Sequence, residues 1–229
     1  MQLNLGSRLQ AIASFVPPGA RLADIGSDHG YLPAWLLLNE RIEFAIAGEV
    51  NRDPARRALQ TVEAFGLRQR MEVRLGSGLS VLRPGEADVI AIAGMGGVTI
   101  RDILAAGREQ LSPVRRLILQ PNIAGAELRR WLVENGLRIV DEALIKENAI
   151  IYEIIVAEPG QQAALTPLEA ELGPILLRRQ PELFAERVTA RTAELEYIVH
   201  QLENAKSPSA QAKRQQLIEA IVEMRGVLR

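Results

Sequence analysis

Apolar positions in the first two-thirds of the chain follow two alternating rhythms. Short apolar runs of the length that buried strands take occur at Arg21–Ile25, Phe44–Val50, Met71–Leu75, Asp88–Ala93 and Arg116–Asn122. Between them lie stretches with helical spacing: Leu9–Phe15, Leu32–Leu38, a segment from Asp53-Pro54 to Phe65, one through Ile100, Ile103 and Leu104, and Ala126–Asn135. Pro17-Pro18-Gly19 breaks the first helix, and Asp53-Pro54 reads as the cap and start of the third. Regular alternation of strand and helix predicts a parallel sheet with right-handed crossovers. The rhythm changes at Leu137. Leu137–Ile145 and Ile150–Ala157 both read as strands, and only Lys146-Glu147-Asn148-Ala149 separates them. That is too short for a crossover helix, so the two should form an antiparallel hairpin at one sheet edge.

Past Glu158-Pro159-Gly160-Gln161-Gln162, which reads as a linker, strand patterns cease. Thr166-Pro167 starts a short helix, Gly173-Pro174 interrupts it, and Pro181 opens a longer one. Phe184, Val188, Arg191, Leu195, Ile198 and Leu202 then alternate spacings of four and three, a heptad stripe. Lys206-Ser207-Pro208-Ser209 reads as a turn, after which Leu217, Ile221, Met224 and Leu228 repeat the spacing. The pattern predicts two domains, residues 1–160 (α/β) and residues 161–229 (an α-helical coiled-coil hairpin). In that hairpin Arg191 would occupy the seam, as a phosphate contact or as a register device. Arg178, Arg179, Arg187, Lys213 and Arg214 could form a basic stripe, but acidic residues are about as frequent there, so a solvated surface is the simpler reading.

Composition narrows the classes. A chain of 229 residues, 48% apolar and 24% charged, has room for one ordinary domain and a smaller appendage. Cysteine is absent, which removes disulfides and thiolate metal sites. The two histidines, His29 and His200, are far apart, and no metal is expected. No apolar run is long enough to cross a bilayer, and Met1-Gln2-Leu3-Asn4-Leu5 lacks the pattern of a secretory signal; a cytoplasmic protein is expected. A net charge of −1 and a pI near 6.2 place any nucleic-acid contact on local basic patches. Oligomeric state is not fixed by any of these features.

The segment Leu22-Ala23-Asp24-Ile25-Gly26-Ser27-Asp28-His29-Gly30-Tyr31-Leu32-Pro33 carries the most specific chemistry. It reads as a strand that stops at a glycine turn and enters a helix, which leaves backbone N–H groups free and allows close approach of a ligand. The order Asp-x-Gly-x-x-x-Gly points to S-adenosylmethionine. The turn lacks the Gly-x-Gly-x-x-Gly spacing that seats a pyrophosphate, and Asp28 would repel one. Asp24 could accept from the cofactor's ammonium across Gly26. Glu49, with Val50 after it, ends the second strand where an acid can hold both ribose hydroxyls. Ser77 and Gly78 lie where the adenine edge is usually read, although a plain Gly-Ser-Gly turn explains them equally well. Gly94-Met95-Gly96-Gly97 follows a buried strand and reads as a surface on which something flat lies. Asn122 at the end of the fifth strand could read an adenine edge or merely cap the next helix. His29 and Tyr31 are compatible with base contact or with simple packing.

Asp24–Pro33, Ala47-Gly48-Glu49-Val50, Ala93–Gly97 and Leu117-Ile118-Leu119-Gln120-Pro121-Asn122 together resemble the bacterial tRNA adenine-N1 methyltransferases that modify adenine 22. The likeness runs from about Leu5 to Ala157, and that family also carries a coiled-coil C-terminal domain. The resemblance implies a Rossmann-like, seven-stranded class I methyltransferase sheet ending in an antiparallel hairpin. It implies methyl transfer from S-adenosylmethionine to N1 of an adenine in tRNA, with tRNA as partner. Asp24, Gly26, Asp28, Glu49, Val50, Ser77, Gly78, Gly94 and Met95 would then serve the cofactor, and Asp28, His29 and Asn122 the reaction. The rival readings are a methyltransferase with another substrate and a catalytically silent cofactor-binding module.

Overall fold

The computed structural model describes residues 3–112, 114–203, 205 and 207–228. Met1 and Gln2 at the chain start and Lys206 in the expected inter-helix turn lie outside them. The chain divides into two compact units, residues 1–164 and 165–229.

In the first unit, strands β1 (Ala20–Ile25), β2 (Ile42–Glu49), β3 (Met71–Leu75), β4 (Val89–Met95), β5 (Arg116–Pro121), β6 (Leu137–Glu147) and β7 (Ile150–Pro159) form one seven-stranded sheet in the order β3-β2-β1-β4-β5-β7-β6. β1 to β5 pair in parallel, whereas β7 runs antiparallel to both β5 and β6. The expected hairpin is present at the edge. Its two-residue turn, Asn148-Ala149, has positive φ at both positions (50° and 65°), the mirror-image turn that matches strand twist.

Helices α1 (Ser7–Ser14), α2 (Tyr31–Leu38), α3 (Arg52–Ala64), α4 (Gly97–Ala106), α5 (Arg108–Leu111) and α6 (Gly125–Glu134) complete the unit. The start of α3 differs from expectation: its N-cap is Asn51, and Asp53 lies within the first turn. There Asp53 pairs with Arg56 at 3.5 Å and favours the positive end of the helix dipole.

Period-2 alternation explains how the sheet positions polar groups. Leu22 of β1, Ala45 and Ala47 of β2, Val89 and Ala91 of β4 and Ile118 of β5 share one apolar cluster with residues of α1 and α2. The same rows, two residues further on, end in Asp24, Glu49 and Gln120, all buried. Along these rows the core therefore turns polar at the carboxyl edge of the sheet.

The second unit is helical: α7 (Pro167–Leu172), α8 (Pro174–Arg179), α9 (Phe184–Gln201) and α10 (Pro208–Gly226). Thr166 caps α7 through a reciprocal box with Glu169, and Gly173, at φ 89°, separates α7 from α8. α9 and α10 pack on each other, and α10 also packs on α7. The buried stripe of α9 is Phe184, Val188, Thr192 and Leu195, so the expected heptad placing Arg191 in the seam is corrected. Arg191 lies beside the seam, half-buried, with Nε donating to Glu171 Oε1 at 2.6 Å and Nη1 to Glu194 Oε2 at 2.9 Å. Two close acceptors satisfy a guanidinium where a seam position offers none, and the small Thr192 takes the buried site. Ile198 is exposed, as is Leu228 beyond the end of α10.

Candidate active site

The turn after β1 is built from backbone conformations that few residues adopt. Gly26, Asp28 and Gly30 all have positive φ (75°, 54° and 68°), which glycine adopts freely and Asp tolerates. A side chain on Gly26 would meet Met95 Cε at 2.1 Å. The turn is held by its neighbours. Glu49 Oε1 accepts from the Asp28 N–H, and Ser27 Oγ donates to Asp24 Oδ2 at 2.5 Å. Asp28 itself is exposed, and its Oδ1 accepts from Arg57 Nε at 3.2 Å and Nη2 at 2.5 Å. Its carboxylate therefore shares its charge with a cation from α3, a partner that sequence reasoning missed. The His29 ring stacks on Tyr31 with centroids 4.9 Å apart and lies 3.7 Å from Asp28.

Asp24 and Glu49 end adjacent strands, and both are buried. Burial pushes the Asp24 carboxyl up to about 7, reinforced by Glu49 and opposed by the Ser27 hydrogen bond and by Arg8. Burial likewise raises Glu49, opposed by the Asp28 N–H. Two desolvated acids side by side are costly without a donor-rich partner.

The other half of the edge lies across β4 and β5. A bulge at Gly94, φ 77°, shifts the β4–β5 register between Ala93 and Met95. Both of its freed backbone groups are taken by side chains, one from β5 and one from the residue just after it. The Gly94 N–H donates to Gln120 Oε1 at 3.1 Å, and Asn122 Nδ2 donates to the Gly94 carbonyl at 2.9 Å. Gln120 Nε2 donates to Asn122 Oδ1 at 3.0 Å, and Arg8 Nη1 donates to Gln120 Oε1 at 2.6 Å. The Arg8 guanidinium also lies over the Tyr152 ring (5.3 Å) and near Glu147. The helix-cap reading of Asn122 falls, because α6 begins after Ala124 with no side-chain cap. One part of the glycine-run reading is also corrected. Gly97 serves packing, since a Cβ there would lie 2.2 Å from the Ala124 carbonyl oxygen.

The remaining candidates line the same edge. Val50 is 63% exposed at the end of β2. Ser77 is exposed and precedes a short 3-10 turn, Gly78–Val81, which its side chain does not cap. Gly78 has φ 52° and stands against Ile103. Thus the ends of β1, β2, β4 and β5 bring together buried acids, left-handed turns and oriented amides, with exposed apolar side chains at Val50 and Ile123. Arg8, Arg57 and Tyr152 were missed by sequence reasoning. No local signal marks them, because each reaches the edge from an element distant in the chain.

The sequence profile of the tRNA (adenine(22)-N(1))-methyltransferase family matches residues 22–226. The chain belongs to that family. It is 41% identical over 209 residues to the tRNA (adenine(22)-N(1))-methyltransferase of Bacillus subtilis, covering 89% of this chain and 88% of that one. The crystal structure of the B. subtilis M1A22 tRNA methyltransferase TrmK superposes with a TM-score of 0.92 at 37% identity, covering all of both chains. A Streptococcus pneumoniae protein, described as a putative tRNA (m1A22) methyltransferase and solved in complex with S-adenosyl-L-methionine, gives 0.90 at 38% identity. That match covers 99% of this chain and 100% of the other. The Rossmann-like methyltransferase sheet is therefore the fold of this chain, and its C-terminal part is helical as in those relatives. Among the described residues no helix is long and apolar enough to cross a membrane.

Proposed function

We infer that this chain transfers a methyl group from S-adenosylmethionine to N1 of an adenine in tRNA, the position corresponding to adenine 22. The family carries the reaction. The observation that supports it in this chain is the pair of buried acids, Asp24 and Glu49, beside a turn with left-handed backbone at Gly26, Asp28 and Gly30. The cofactor offers what that pair lacks: an ammonium for one carboxylate and vicinal hydroxyls for the other.

Bound S-adenosylmethionine supplies an electrophilic methyl, which adenine N1 takes with its lone pair as the C–S bonding pair returns to sulfur, giving cationic 1-methyladenine and S-adenosylhomocysteine. The chain's task is to bind and orient. Ionised Asp24 pairs with the ammonium. Glu49 keeps Oε1 on the Asp28 N–H and offers its second oxygen to the ribose. Val50 gives an apolar contact for the cofactor's adenine, and Ser77 and Gly78 border its edge. Gly26, Gly94 and Met95 shape the floor.

N1 of neutral adenine already carries a free lone pair at neutral pH, so the site needs no strong general base; positioning does the work. Asn122 reads the target base, with His29 at its margin. Asp28 favours the positive charge that develops on the ring, tempered by Arg57. N1 lies on the Watson–Crick edge, so the base reacts only when unpaired or turned out of its stack. Backbone contacts to tRNA fall to the helical unit, where Arg178 and Lys213 are exposed. This reading places the enzyme in the cytoplasm and requires no metal.

The test is incubation of the full chain with labelled S-adenosylmethionine and unmodified tRNA, followed by nucleoside mapping. Label appearing as 1-methyladenine at one D-arm position is expected. Cofactor binding by calorimetry with no methylated RNA would leave a silent binding module instead.

A further inference from the structure

Arg8 is the unexplained residue of the site. It stands in the first turn of α1, yet its guanidinium reaches Gln120 of β5, the Tyr152 ring of β7 and Glu147 of β6. It also lies close enough to Asp24 to lower that group's pKa. An arginine can only donate, whereas a side-chain amide can turn either end outward. Arg8 and the Gly94 N–H, both able only to donate, therefore hold Gln120 with Oε1 toward them. Gln120 Nε2 must then donate to Asn122 Oδ1, which leaves Asn122 Nδ2 to donate to the Gly94 carbonyl. Two fixed donors, Arg8 and the Gly94 N–H, and one fixed acceptor, the Gly94 carbonyl, set the sense of the two amides, with Gln120 as the link between them.

The last amide in the relay is exposed. After its internal bonds Asn122 retains one Nδ2–H and one Oδ1 lone pair. An asparagine amide can bind adenine through N7 and the N6 amino group, with Nδ2–H donating to N7 and Oδ1 accepting from N6. That pairing leaves N1 free. Guanine, with acceptors at both O6 and N7, would set its O6 against Oδ1.

We propose that Gln120, held by Arg8 and by the Gly94 N–H, is a positioning residue that fixes the Asn122 amide in the sense that holds adenine by N7 and N6 and leaves N1 exposed. The proposal rests on the methyl-transfer reading above.

Gln120→Glu tests it with little change of shape. A carboxylate still accepts from Arg8 and Gly94 but sets an acceptor against Asn122 Oδ1 while the Gly94 carbonyl still requires Nδ2, so the Asn122 amide loses its single sense. The readout is the quotient of kcat/KM on tRNA carrying adenine and on tRNA carrying 7-deazaadenine at the target position, at saturating S-adenosylmethionine. Any intrinsic effect of the ring change on N1 is common to all enzymes and cancels between them. Wild type should exceed Gln120→Glu in this quotient by about tenfold, the worth of one hydrogen bond of ~1.4 kcal/mol. Asn122→Ala should match Gln120→Glu, and Arg8→Met, which leaves the Gly94 N–H on Gln120 Oε1, should stay near wild type. Gln120→Met, which removes the donor without adding a charge, should fall between wild type and Gln120→Glu and keeps the test decisive if Gln120→Glu fails to fold. Equal quotients in all the active enzymes would overturn the relay. Wild type that methylates no adenine at N1 would instead overturn the activity reading itself.

Discussion

The two halves of the sheet's carboxyl edge solve different problems. The β1–β2 half is built from sequence neighbours. Asp24, Ser27 and Asp28 lie within five residues of one another, Glu49 reaches them from the adjacent strand, and the backbone supplies the shape. Its acids are buried with few donors, so this half is unfinished until a ligand supplies them. The β4–β5 half is assembled from α1, β4, β5, β6 and β7, and its polar groups satisfy one another through Arg8, Gln120, Asn122 and Gly94. The contrast teaches a division of labour: an unsatisfied half attracts a charged ligand, and a satisfied half presents a fixed pattern of donors and acceptors.

The largest expected effect breaks the long-range half. Arg129 of α6 is fully buried between Glu142 of β6 and Glu153 of β7, at 2.7 and 2.8 Å, and so ties the hairpin to the helix that follows β5. Arg129→Met leaves two carboxylates without their cation and should cost about 3–5 kcal/mol, read from denaturant unfolding. A loss below 1 kcal/mol would show that the hairpin is held by packing alone.

A smaller effect sharpens the unfinished half. The folded Asp24 carboxyl titrates near 7, above its unfolded value, so the folded state holds a proton that the unfolded state has released. The contribution of Asp24 to stability is therefore fullest below its unfolded value and is lost as pH rises through about 7. Cofactor affinity runs the other way, because the ammonium needs the ionised acid; it should climb about tenfold per pH unit below 7. Asp24→Asn should flatten both profiles, raise unliganded stability at pH 8, and weaken S-adenosylmethionine binding roughly 10- to 100-fold. Calorimetry and melts across pH 5.5–8 measure both; an unchanged affinity slope in the variant would remove Asp24 from the cofactor.

The smallest effect concerns the exposed Arg57–Asp28 pair. If the backbone bond to Glu49 holds the turn, Arg57→Ala should leave cofactor affinity within about threefold, since exposed ion pairs are weak. A greater loss, again by calorimetry, would mean that the ion pair shapes the turn.

Much of this was legible before folding. Period-2 rows that finish at Asp24 and Glu49, the glycines at 26 and 30, and the two strands separated by Asn148-Ala149 are local patterns, and each corresponds to a strand end or turn in the fold. Reading failed where a residue's surroundings come from elsewhere. Arg191 fits a heptad by spacing, but Glu171 of another helix draws it aside and Thr192 is buried in its place. Gly97 reads as open surface until the Ala124 carbonyl is set against it. Arg8 reads as one more polar residue on a short helix.

By itself, the sequence determined the order of strands and helices, the family and the acidic, glycine-bearing turn, because these depend on side-chain periodicity and on backbone conformations confined to a few consecutive residues. Only the tertiary structure decided that Arg8, 112 residues from Gln120, joins the Gly94 N–H in holding the amides at the mouth, and that Arg129 neutralises two glutamates from the hairpin. Hydrogen bonds and charges act over a few ångströms of space whatever the separation along the chain, and folding alone brings those partners within reach.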